Sequence, residues 1–483
     1  MKLKRPILVG GLGLSASLWL LSIVGSSPLG HAVADGPGLL GVIAVGSSIW
    51  WLKKSTASPI ALESPLALEP VDKTAVEAAI AQANKCLDTL TKELPKDANK
   101  SEPVQLQIQQ QRKLMAEVLA NTERKTLKLA VVGNKSVGKT ALVAQLKESW
   151  AAEQVAAITE VTGESALPPI DTDLTLFVTA ADLTHSELQR IQSLLKAGYR
   201  VQIAFNKQDQ LAPLDRQSVI ARIQTRVEDL DIGVSAIATQ PSPIKVRRHQ
   251  EDGTFEEFTE QLAPQLEKLT NRLSYLVEKE TSALVLTTAL RQAKALQASA
   301  QALLNTQRRS RAMPIVEQMQ WIAGGSAFAS PLPSLDLLAS TAINGQMIID
   351  LGAVYSQSFS MEQAKAAAGT LAELLVKLGL VELSTQALGS LLKAHAATYV
   401  AGGAVQGVSA AYLTRMVGIS LIDFFEEQSY LAPEKRKFAF GEMGDRLQTL
   451  FKAAKQGSKL QNFVDQALTH LPTLPQTKTA IAK

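Results

Sequence analysis

One glycine-rich stretch of the chain has the residue types and spacing that bind a polyphosphate. The pattern G-x-x-x-x-G-K-[ST] is matched by Gly133, Asn134, Lys135, Ser136, Val137, Gly138, Lys139 and Thr140, with Ala141 next. Glycines let the backbone curl so that its N–H groups converge on phosphate oxygens, and a following helix adds the positive end of its dipole. Lys139 would reach the β- and γ-phosphates, and the Thr140 hydroxyl would bind Mg²⁺. We predict a phosphate-binding loop here, with a chance match by a structural turn as the alternative.

A second group of polar residues indicates which base is bound. Asn206, Lys207, Gln208 and Asp209 directly follow the apolar run Val201–Phe205, and ligands of open α/β sheets bind at the carboxyl ends of strands. The Asp209 carboxylate can accept hydrogen bonds from N1–H and the 2-amino group of guanine. Adenine lacks this donor pair and would leave the carboxylate unpaired, which costs about 1–3 kcal/mol. The spacing therefore predicts guanine specificity, with Asn206, Lys207 and Asp209 as contact residues.

A third, shorter element has the same order relative to the other two. Ser235 and Ala236 follow the short apolar run Ile232–Val234. A loop at this place would contact the base through its backbone. The dipeptide carries no information alone, and its position after the other two elements adds modest support.

The elements that must position these residues are strands and helices in alternation. Buried strands are predicted by three apolar or β-branched runs, at Thr126–Val132, Asp173–Thr179 and Val201–Phe205. Helical patterns lie between them, at about 139–150 and 184–196. This alternation implies a mostly parallel sheet with flanking helices, an α/β domain over residues 126–255.

On these three elements, residues 126–255 resemble an Era-like GTPase domain of the translation-factor class of P-loop GTPases. The family's phosphate-loop, guanine-specificity and last base-contacting motifs fall on Gly133–Thr140, on Asn206, Lys207 and Asp209, and on Ser235 and Ala236. The resemblance implies GTP and GDP as ligands, Mg²⁺ as cofactor, and hydrolysis of GTP to GDP and phosphate. It covers about a quarter of the chain.

The sequence departs from this family between the phosphate loop and Asp173. The family's Asp-x-x-Gly motif is missing, and the runs Val161–Glu164 and Asp171–Asp173 echo it without the Asp-to-Gly spacing. Thr159 or Thr162 could serve as a switch-I threonine, and no residue can be assigned to orient the attacking water. Two functions stay open: a GTPase that cycles slowly as a switch, and a GTP-binding scaffold that does not hydrolyse the nucleotide.

The amino terminus, residues 1–54, predicts a membrane anchor. Two uncharged runs, 6–25 and 38–52, are flanked by Lys and Arg, and the loop between them contains neither. By the positive-inside rule this is a transmembrane hairpin with both ends in the cytoplasm. The alternative is a signal peptide cleaved after Ala32-Val33-Ala34. The anchor makes the lipid bilayer a partner and places the nucleotide domain on the cytoplasmic side.

Helices are expected on both sides of the nucleotide domain. Residues 55–125 are interpreted as a linker and a helical hairpin, because apolar residues from Val76 to Leu94 recur at steps of four and three. The same periodicity from Leu262 to Leu276 predicts a long helical connector over residues 256–307. No strand is expected beyond about residue 255.

Residues 308 to about 430 resemble the hydrophobic helical domain of YcjF-type bacterial inner-membrane proteins, which is also found fused to GTPases in cyanobacteria. The resemblance is carried by Arg308–Ala312, Ser330–Asp336, Asn344–Met347 with Asp350, and the small-residue run Ala396–Thr414. It implies an all-helical domain over residues 308–483, at a bacterial inner membrane or a cyanobacterial plasma or thylakoid membrane. Two uncharged stretches, 318–335 and 396–414, fit either membrane insertion or a bundle packed closely through Gly402, Gly403 and Gly407.

Composition excludes several other classes of function. The net charge is +4 over 483 residues, and no basic stretch is interleaved with aromatic residues, so we expect no nucleic-acid partner. Five scattered histidines lack metal-ligand spacing, and the single Cys86 cannot form an intrachain disulfide. A nucleotide-gated pore is disfavoured because charged residues are scarce in the apolar stretches. A protein partner or a homo-oligomer is compatible with the sequence.

Overall fold

The computed structural model describes most of the chain beyond the predicted membrane anchor. The described residues are 71–95, 98–150, 155–163, 166–249, 255–329, 333–394, 402–431, 435–436, 438–455 and 459–470. The predicted transmembrane hairpin at 6–25 and 38–52, and the linker up to residue 70, lie outside them and stay predictions.

Five parallel strands form the central sheet, in the order β2-β1-β3-β4-β5. Their bounds are β1 Leu127–Gly133, β2 Val155–Glu160, β3 Leu174–Thr179, β4 Arg200–Phe205 and β5 Val234–Ala236. Strands β1, β3 and β4 are buried on both faces, which explains why most of their residues are apolar or β-branched. The predicted parallel sheet is confirmed, and it contains two strands, β2 and β5, beyond the three that the sequence predicted.

Helices cover both faces of this sheet. They are α3 Lys139–Ser149, α4 His185–Lys196, α5 Pro213–Arg226 and α6 Glu267–Lys279. Leu142 and Leu146 of α3 pack with α6 on one face, and Ile191 of α4 packs with Ile223 of α5 on the other. Helix α4 begins at a capping box, because Thr184 and Glu187 each bond to the other's backbone N–H. The domain is therefore a three-layer αβα sandwich.

The rest of the described chain is helical apart from one hairpin. Its helices are α1 Lys73–Glu93, α2 Ala98–Ala120, α7 Thr281–Ala329, α8 Pro333–Val354, α9 Met361–Lys377, α10 Leu380–Ala394, α11 Gly402–Ser429, α12 Gly444–Lys455 and α13 Lys459–His470. The predicted apolar face of α1 is buried, from Val76 to Leu90. The prediction of a large helical carboxyl-terminal region is confirmed.

The expectation that no strand follows about residue 255 is wrong. Strand β6, Ile244–His249, pairs antiparallel with β7, Phe255–Glu260, and forms a separate two-stranded sheet. Both strands mix charged residues with isolated apolar ones, and none of their described side chains belongs to the core clusters. The hairpin is an exposed insertion between β5 and α6, and such strands lack the apolar signal of a buried one.

Helix α7 joins the sheet domain to the helical region as one element of 49 residues. Near its start, Arg291 donates to the carbonyls of Ile170, Thr172 and Gly198, and its guanidinium lies 4.0 Å from the ring centroid of Tyr199. Burial lowers the pKa of Arg291 to about 10, so the side chain keeps its charge at neutral pH. The helix does not end near residue 307.

Three arginines about five turns further along α7 bind acidic residues of its neighbours. Arg308 and Arg311 both pair with Glu93 of α1, and Arg309 pairs with Asp423 and Glu426 of α11. Arg308 is buried, so removing its partner would leave an uncompensated charge in the interior. These pairs hold α1, α7 and α11 together.

Helices α7 and α11 cross at two glycines. A Cβ added to Gly407 would lie 2.9 Å from the carbonyl oxygen of Gly324, so this approach requires glycine. Among the described residues one segment, Val405–Ser429, is long and apolar enough to cross a membrane, and 72% of its apolar window is buried in the protein. The surroundings of Gly402 and Gly403 lie outside the described residues.

The crossing can be tested with one added methyl group. We expect Gly407→Ala to lower the free energy of unfolding of the helical region by about 1–3 kcal/mol, because the added Cβ meets backbone. Thermal unfolding of the full chain in detergent, followed by circular dichroism, measures this. The control is Gly325→Ala, where a Cβ meets nothing within 4 Å and a gain of up to about 1 kcal/mol is expected. Equal effects of the two changes would contradict this packing.

Candidate functional site

The loop from Gly133 to Thr140 lies at the carboxyl end of β1 and leads into α3. Two of its glycines are required by the surroundings. Gly133 has φ +151°, and an added Cβ would lie 2.4 Å from the carbonyl oxygen of Val178 on β3. Gly138 has φ +93°, and an added Cβ would lie 2.2 Å from Nδ2 of Asn206. Sequence spacing and tertiary contacts therefore agree on a tight backbone curl.

Polar and cationic groups line the mouth of this loop. The Lys139 ammonium donates to the carbonyl oxygen of Asn134 at 2.7 Å, so it crosses the loop rather than pointing away. Thr140 is exposed and lies in the first turn of α3. The backbone N–H groups of this turn have no hydrogen-bond partner within the helix. Ser136 has φ +60°, the left-handed conformation that helps a loop turn its amides inward. This arrangement can bind an anion.

Asn206 connects the loop to the base-reading elements. Its side chain is 1% exposed, and Nδ2 donates to the carbonyl oxygen of Val137 at 2.8 Å and to Oγ1 of Thr239 at 3.1 Å. Its Oδ1 accepts the backbone N–H of Thr239 at 3.1 Å. One buried amide therefore fixes the loop after β1 relative to the loops after β4 and β5.

The two carboxylate oxygens of Asp209 differ in their hydrogen bonding. Its Oδ2 accepts the backbone N–H of Ser242 at 2.9 Å. Its Oδ1 is buried, and among the described residues it has no hydrogen-bond partner. Buried acceptors are nearly always paired in folded proteins, so this oxygen has the capacity to accept a donor from a ligand. Lys207, with φ +60°, makes the turn that directs Asp209.

Ser235 and Ala236, which were expected in a loop, lie in strand β5 itself. They pair with Ala204 and Phe205 of β4, and both are buried. The loop that follows β5 is bonded to the one after β4, because the backbone N–H of Gln208 donates to the carbonyl oxygen of Ile237 at 3.1 Å. All three predicted elements therefore lie at the carboxyl ends of strands of one sheet, β1, β4 and β5.

Gln265 is hydrogen-bonded to the loops that follow β4 and β5, and the sequence did not indicate this role. Its backbone exchanges two hydrogen bonds with Ala238, at 2.8 and 3.0 Å. Its Oε1 accepts from Nε2 of Gln208 at 3.1 Å. Because Gln265 lies two residues before the start of α6, that helix helps to fix the position of both base-side loops.

The structure identifies a further acidic residue that the sequence analysis passed over. Strand β2 runs parallel to β1, pairs Glu160 with Val131, and ends at Glu160, beside the Gly133 loop. Three residues later, Gly163 has φ +108°. Glu160-Val161-Thr162-Gly163 thus has the Asp-x-x-Gly spacing with Glu in the first position. The signal is an acid three residues before a glycine, visible once β2 is known to be a strand.

The other candidates in this region fall elsewhere. Asp171 and Asp173 lie at the start of β3, the opposite edge of the sheet, where they bind Lys128 and Arg124. Thr159 lies within β2, paired with Ala130. Helix α3 ends at Ser149 and β2 begins at Val155, so only five residues connect them.

The parallel sheet with its glycine loop and following helix is consistent with a P-loop domain. Residues 291–456 match a family model described as Domain of unknown function (DUF697). The match begins within α7, includes the arginines at 308, 309 and 311, and spans the residues that resemble the YcjF-type helical domain. No curated protein matches the chain.

The role of Asn206 can be tested without any ligand. We expect Asn206→Ala to lower the free energy of unfolding of the sheet domain by about 2–3 kcal/mol, because it leaves buried groups of Val137 and Thr239 unpaired. Hydrogen exchange of the β1 and β4 amides in the full chain measures this. Gln210→Ala, an exposed change four residues away, is the control. Similar exchange in both variants would contradict the bridging role.

Proposed function

We propose that the sheet domain binds guanine nucleotide with Mg²⁺ and acts as a switch on the helical region of a membrane-anchored protein. The observation that supports this proposal is the hydrogen bond from Asn206 to Val137, which joins the phosphate-type loop to the strand end that leads to Asp209. The buried Oδ1 of Asp209 has no hydrogen-bond partner among the described residues.

The phosphate end of the candidate site is suited to a charged chain of oxygens. Backbone N–H groups of the Gly133–Thr140 loop and of the first turn of α3 provide donors, and the helix adds the positive end of its dipole. Lys139 lies across the loop mouth and needs only to exchange the Asn134 carbonyl for phosphate oxygens. The negative charge of a polyphosphate is favourable at both groups.

The base end favours guanine through the same Asp209. Guanine presents two adjacent N–H donors, and a carboxylate accepts both in a bidentate arrangement. Ser242 already donates to Oδ2, and a carboxylate oxygen can accept a second bond. Adenine would leave Oδ1 buried and unpaired, so the geometry supports selection of guanine.

A metal ion would be held by hard oxygen ligands near the phosphates. The Thr140 hydroxyl and the Glu160 carboxylate, directly or through water, are the residues of this chain that fit Mg²⁺. When bound, the ion would neutralise phosphate charge. Glu160 is one methylene longer than the Asp of the family motif, so its carboxylate can reach further from the β2 backbone.

Whether the nucleotide is hydrolysed separates two forms of this function. The short connection between α3 and β2 leaves no room for a switch-I segment with a strand of its own, and no described residue is placed to orient water. These features favour slow turnover or a non-hydrolysing scaffold. The proposed GTPase would therefore depend mainly on Lys139, Thr140 and Glu160.

Nucleotide state would reach the helical region through the segment that follows Gly163. Arg190 donates to the carbonyl oxygens of Gly163 and Ala166, and the Tyr199 hydroxyl donates to that of Pro168 at 2.8 Å. The end of this segment is bound by Arg291 of α7. A shift at Glu160 and Gly163 would therefore act on α7 directly.

We propose membrane attachment from the two apolar runs at 6–25 and 38–52, and a cytoplasmic nucleotide domain from the Lys and Arg that flank them. The segment Val405–Ser429 is mostly buried by its own neighbours. Its burial favours the interpretation of this part as a close-packed bundle over a membrane-spanning helix.

Base selection is the direct test of the proposal. In titration calorimetry with the full chain in detergent, we expect GDP to bind at least about tenfold more tightly than ADP. Asp209→Asn should reverse the preference toward xanthosine diphosphate, because an amide N–H complements the carbonyl at position 2 of xanthine. Asp215→Asn, the same change at an exposed position on α5, should leave binding unaltered. Equal affinity for GDP and ADP would refute guanine specificity.

Turnover distinguishes the enzyme from the scaffold. For the enzyme, we expect slow Mg²⁺-dependent phosphate release from GTP that Lys139→Ala abolishes and Glu160→Gln lowers at least about tenfold. Glu160→Gln should also raise the Mg²⁺ concentration needed for half-maximal rate, while Glu148→Gln, exposed at the end of α3, should change neither. Tight GTP binding with no turnover in the wild-type chain would establish the scaffold instead.

A further inference from the structure

The β6–β7 hairpin has no neighbouring strand among the described residues. Its two strands pair only with each other, over six residues each, and Ile244, Lys245, Arg247, Glu257, Thr259 and Glu260 are exposed. Isolated two-stranded ribbons are marginally stable in water and usually gain a further strand or a covering element. Both outer edges therefore present backbone groups to a possible partner strand.

The base of the hairpin is fixed rather than loose. Ser242, two residues before β6, donates its N–H to Asp209, and Nε2 of Gln261, one residue after β7, donates to the carbonyl oxygen of Pro241 at 2.7 Å. These bonds anchor both strands to the loop that follows β5. The hairpin is thus presented in a defined direction.

The two strands carry side chains of opposite charge. Strand β6 contains Lys245, Arg247 and Arg248, and β7 contains Glu256, Glu257 and Glu260. Arg247 and Glu257 face each other in the register and form an ion pair. A strand added beside β6 is therefore favoured if acidic, and a strand added beside β7 is favoured if basic.

These charges discriminate between the ways in which two copies could pair. A two-fold dimer would place β6 against β6 or β7 against β7, and either arrangement sets like charges opposite each other. Pairing β6 of one copy with β7 of the next places each strand beside its complement. It also continues the antiparallel alternation, and Arg247 would lie between two glutamates.

We propose that the β6–β7 hairpin is a head-to-tail self-association surface, on which β6 of one copy pairs antiparallel with β7 of a second copy of this chain. The contact is heterologous, so it leaves one free edge at each end and can extend beyond two copies. A six-residue edge is a small interface, which is typical of weak association, and tethering to a membrane would raise the local concentration. The proposal does not depend on nucleotide binding.

Single cysteines can trap this contact and reveal its polarity. Within one chain Lys245 pairs with Thr259. If the contact between copies continues this register, Lys245 of one copy lies opposite Thr259 of the next. Cys86 is the only native cysteine, so a Cys86→Ser background allows one new cysteine per chain. Full-length Lys245→Cys and Thr259→Cys chains, differently tagged and reconstituted in vesicles without nucleotide, are oxidised alone and as a mixture.

We expect disulfide-linked dimers in the mixture and at most a few per cent in either variant alone. Adding Glu260→Lys to the Thr259→Cys chain should lower the yield several-fold, because it places a cation beside β6 of the next copy. Glu228→Lys, the same charge change at an exposed position outside the hairpin, is the matched control and should have no effect. Hydrogen exchange of the β6 and β7 amides verifies that the hairpin is intact in each variant.

Three outcomes would overturn the proposal. Cross-linking of either variant alone at the yield of the mixture would indicate a two-fold contact. No cross-linking in any sample, with the hairpin intact, would show that a second copy does not occupy these edges. Equal loss with Glu260→Lys and Glu228→Lys would remove the role of charge complementarity.

Discussion

The side-chain amide of Asn206 is the interaction on which the candidate site depends. It reaches Val137, 69 residues away in sequence, and Thr239, 33 residues away, from a position that is 1% exposed. In such a low-dielectric environment each of these hydrogen bonds is strong, and each would be costly to leave unmade. The glycine at 138 exists in part to admit this amide. The spacing between the phosphate-type loop and Asp209 is therefore fixed before any ligand arrives, which lowers the entropic cost of binding.

The elements predicted best from the sequence are the strands that are buried on both faces of the sheet. Most residues of strands β1, β3 and β4 are apolar or β-branched because helices cover the sheet on each side, and α1 shows a stripe of apolar residues because it packs on α7. Strand β2 lies at the sheet edge with half of its residues exposed, so Val155–Glu160 has no strong pattern. Missing that strand also hid the acid at its end, since Glu160 is meaningful only beside Gly133. The exposed β6–β7 hairpin escaped prediction for the same reason.

Tertiary contacts explain the remaining differences. Asp171 and Asp173 resemble part of a switch motif, yet their partners are Lys128 and Arg124 at the far edge of the sheet. Gln265 takes its position from an isolated bridge to Ala238, a pairing that no local pattern encodes. The arginines at 308, 309 and 311 suggested a family likeness, and they form ion pairs that join three helices. Local sequence specified the helices, whereas the assembly of these pairs depends on residues more than 100 positions apart.

Helix α7 is shared by the sheet domain and the helical region, and its length has a mechanical consequence. From Arg291 to Ala329 it extends roughly 57 Å at about 1.5 Å per residue. If α7 moved as a straight rod, a tilt of about 5° at the sheet would carry its far end about 5 Å sideways, close to the rise of one helical turn. Pro314 lies inside α7, however, and Arg308, Arg309 and Arg311 bind α1 and α11 before the helix reaches the crossing of Gly324 with Gly407. A rotation that begins at the sheet must therefore carry α1 and α11 with it or bend the helix at the proline.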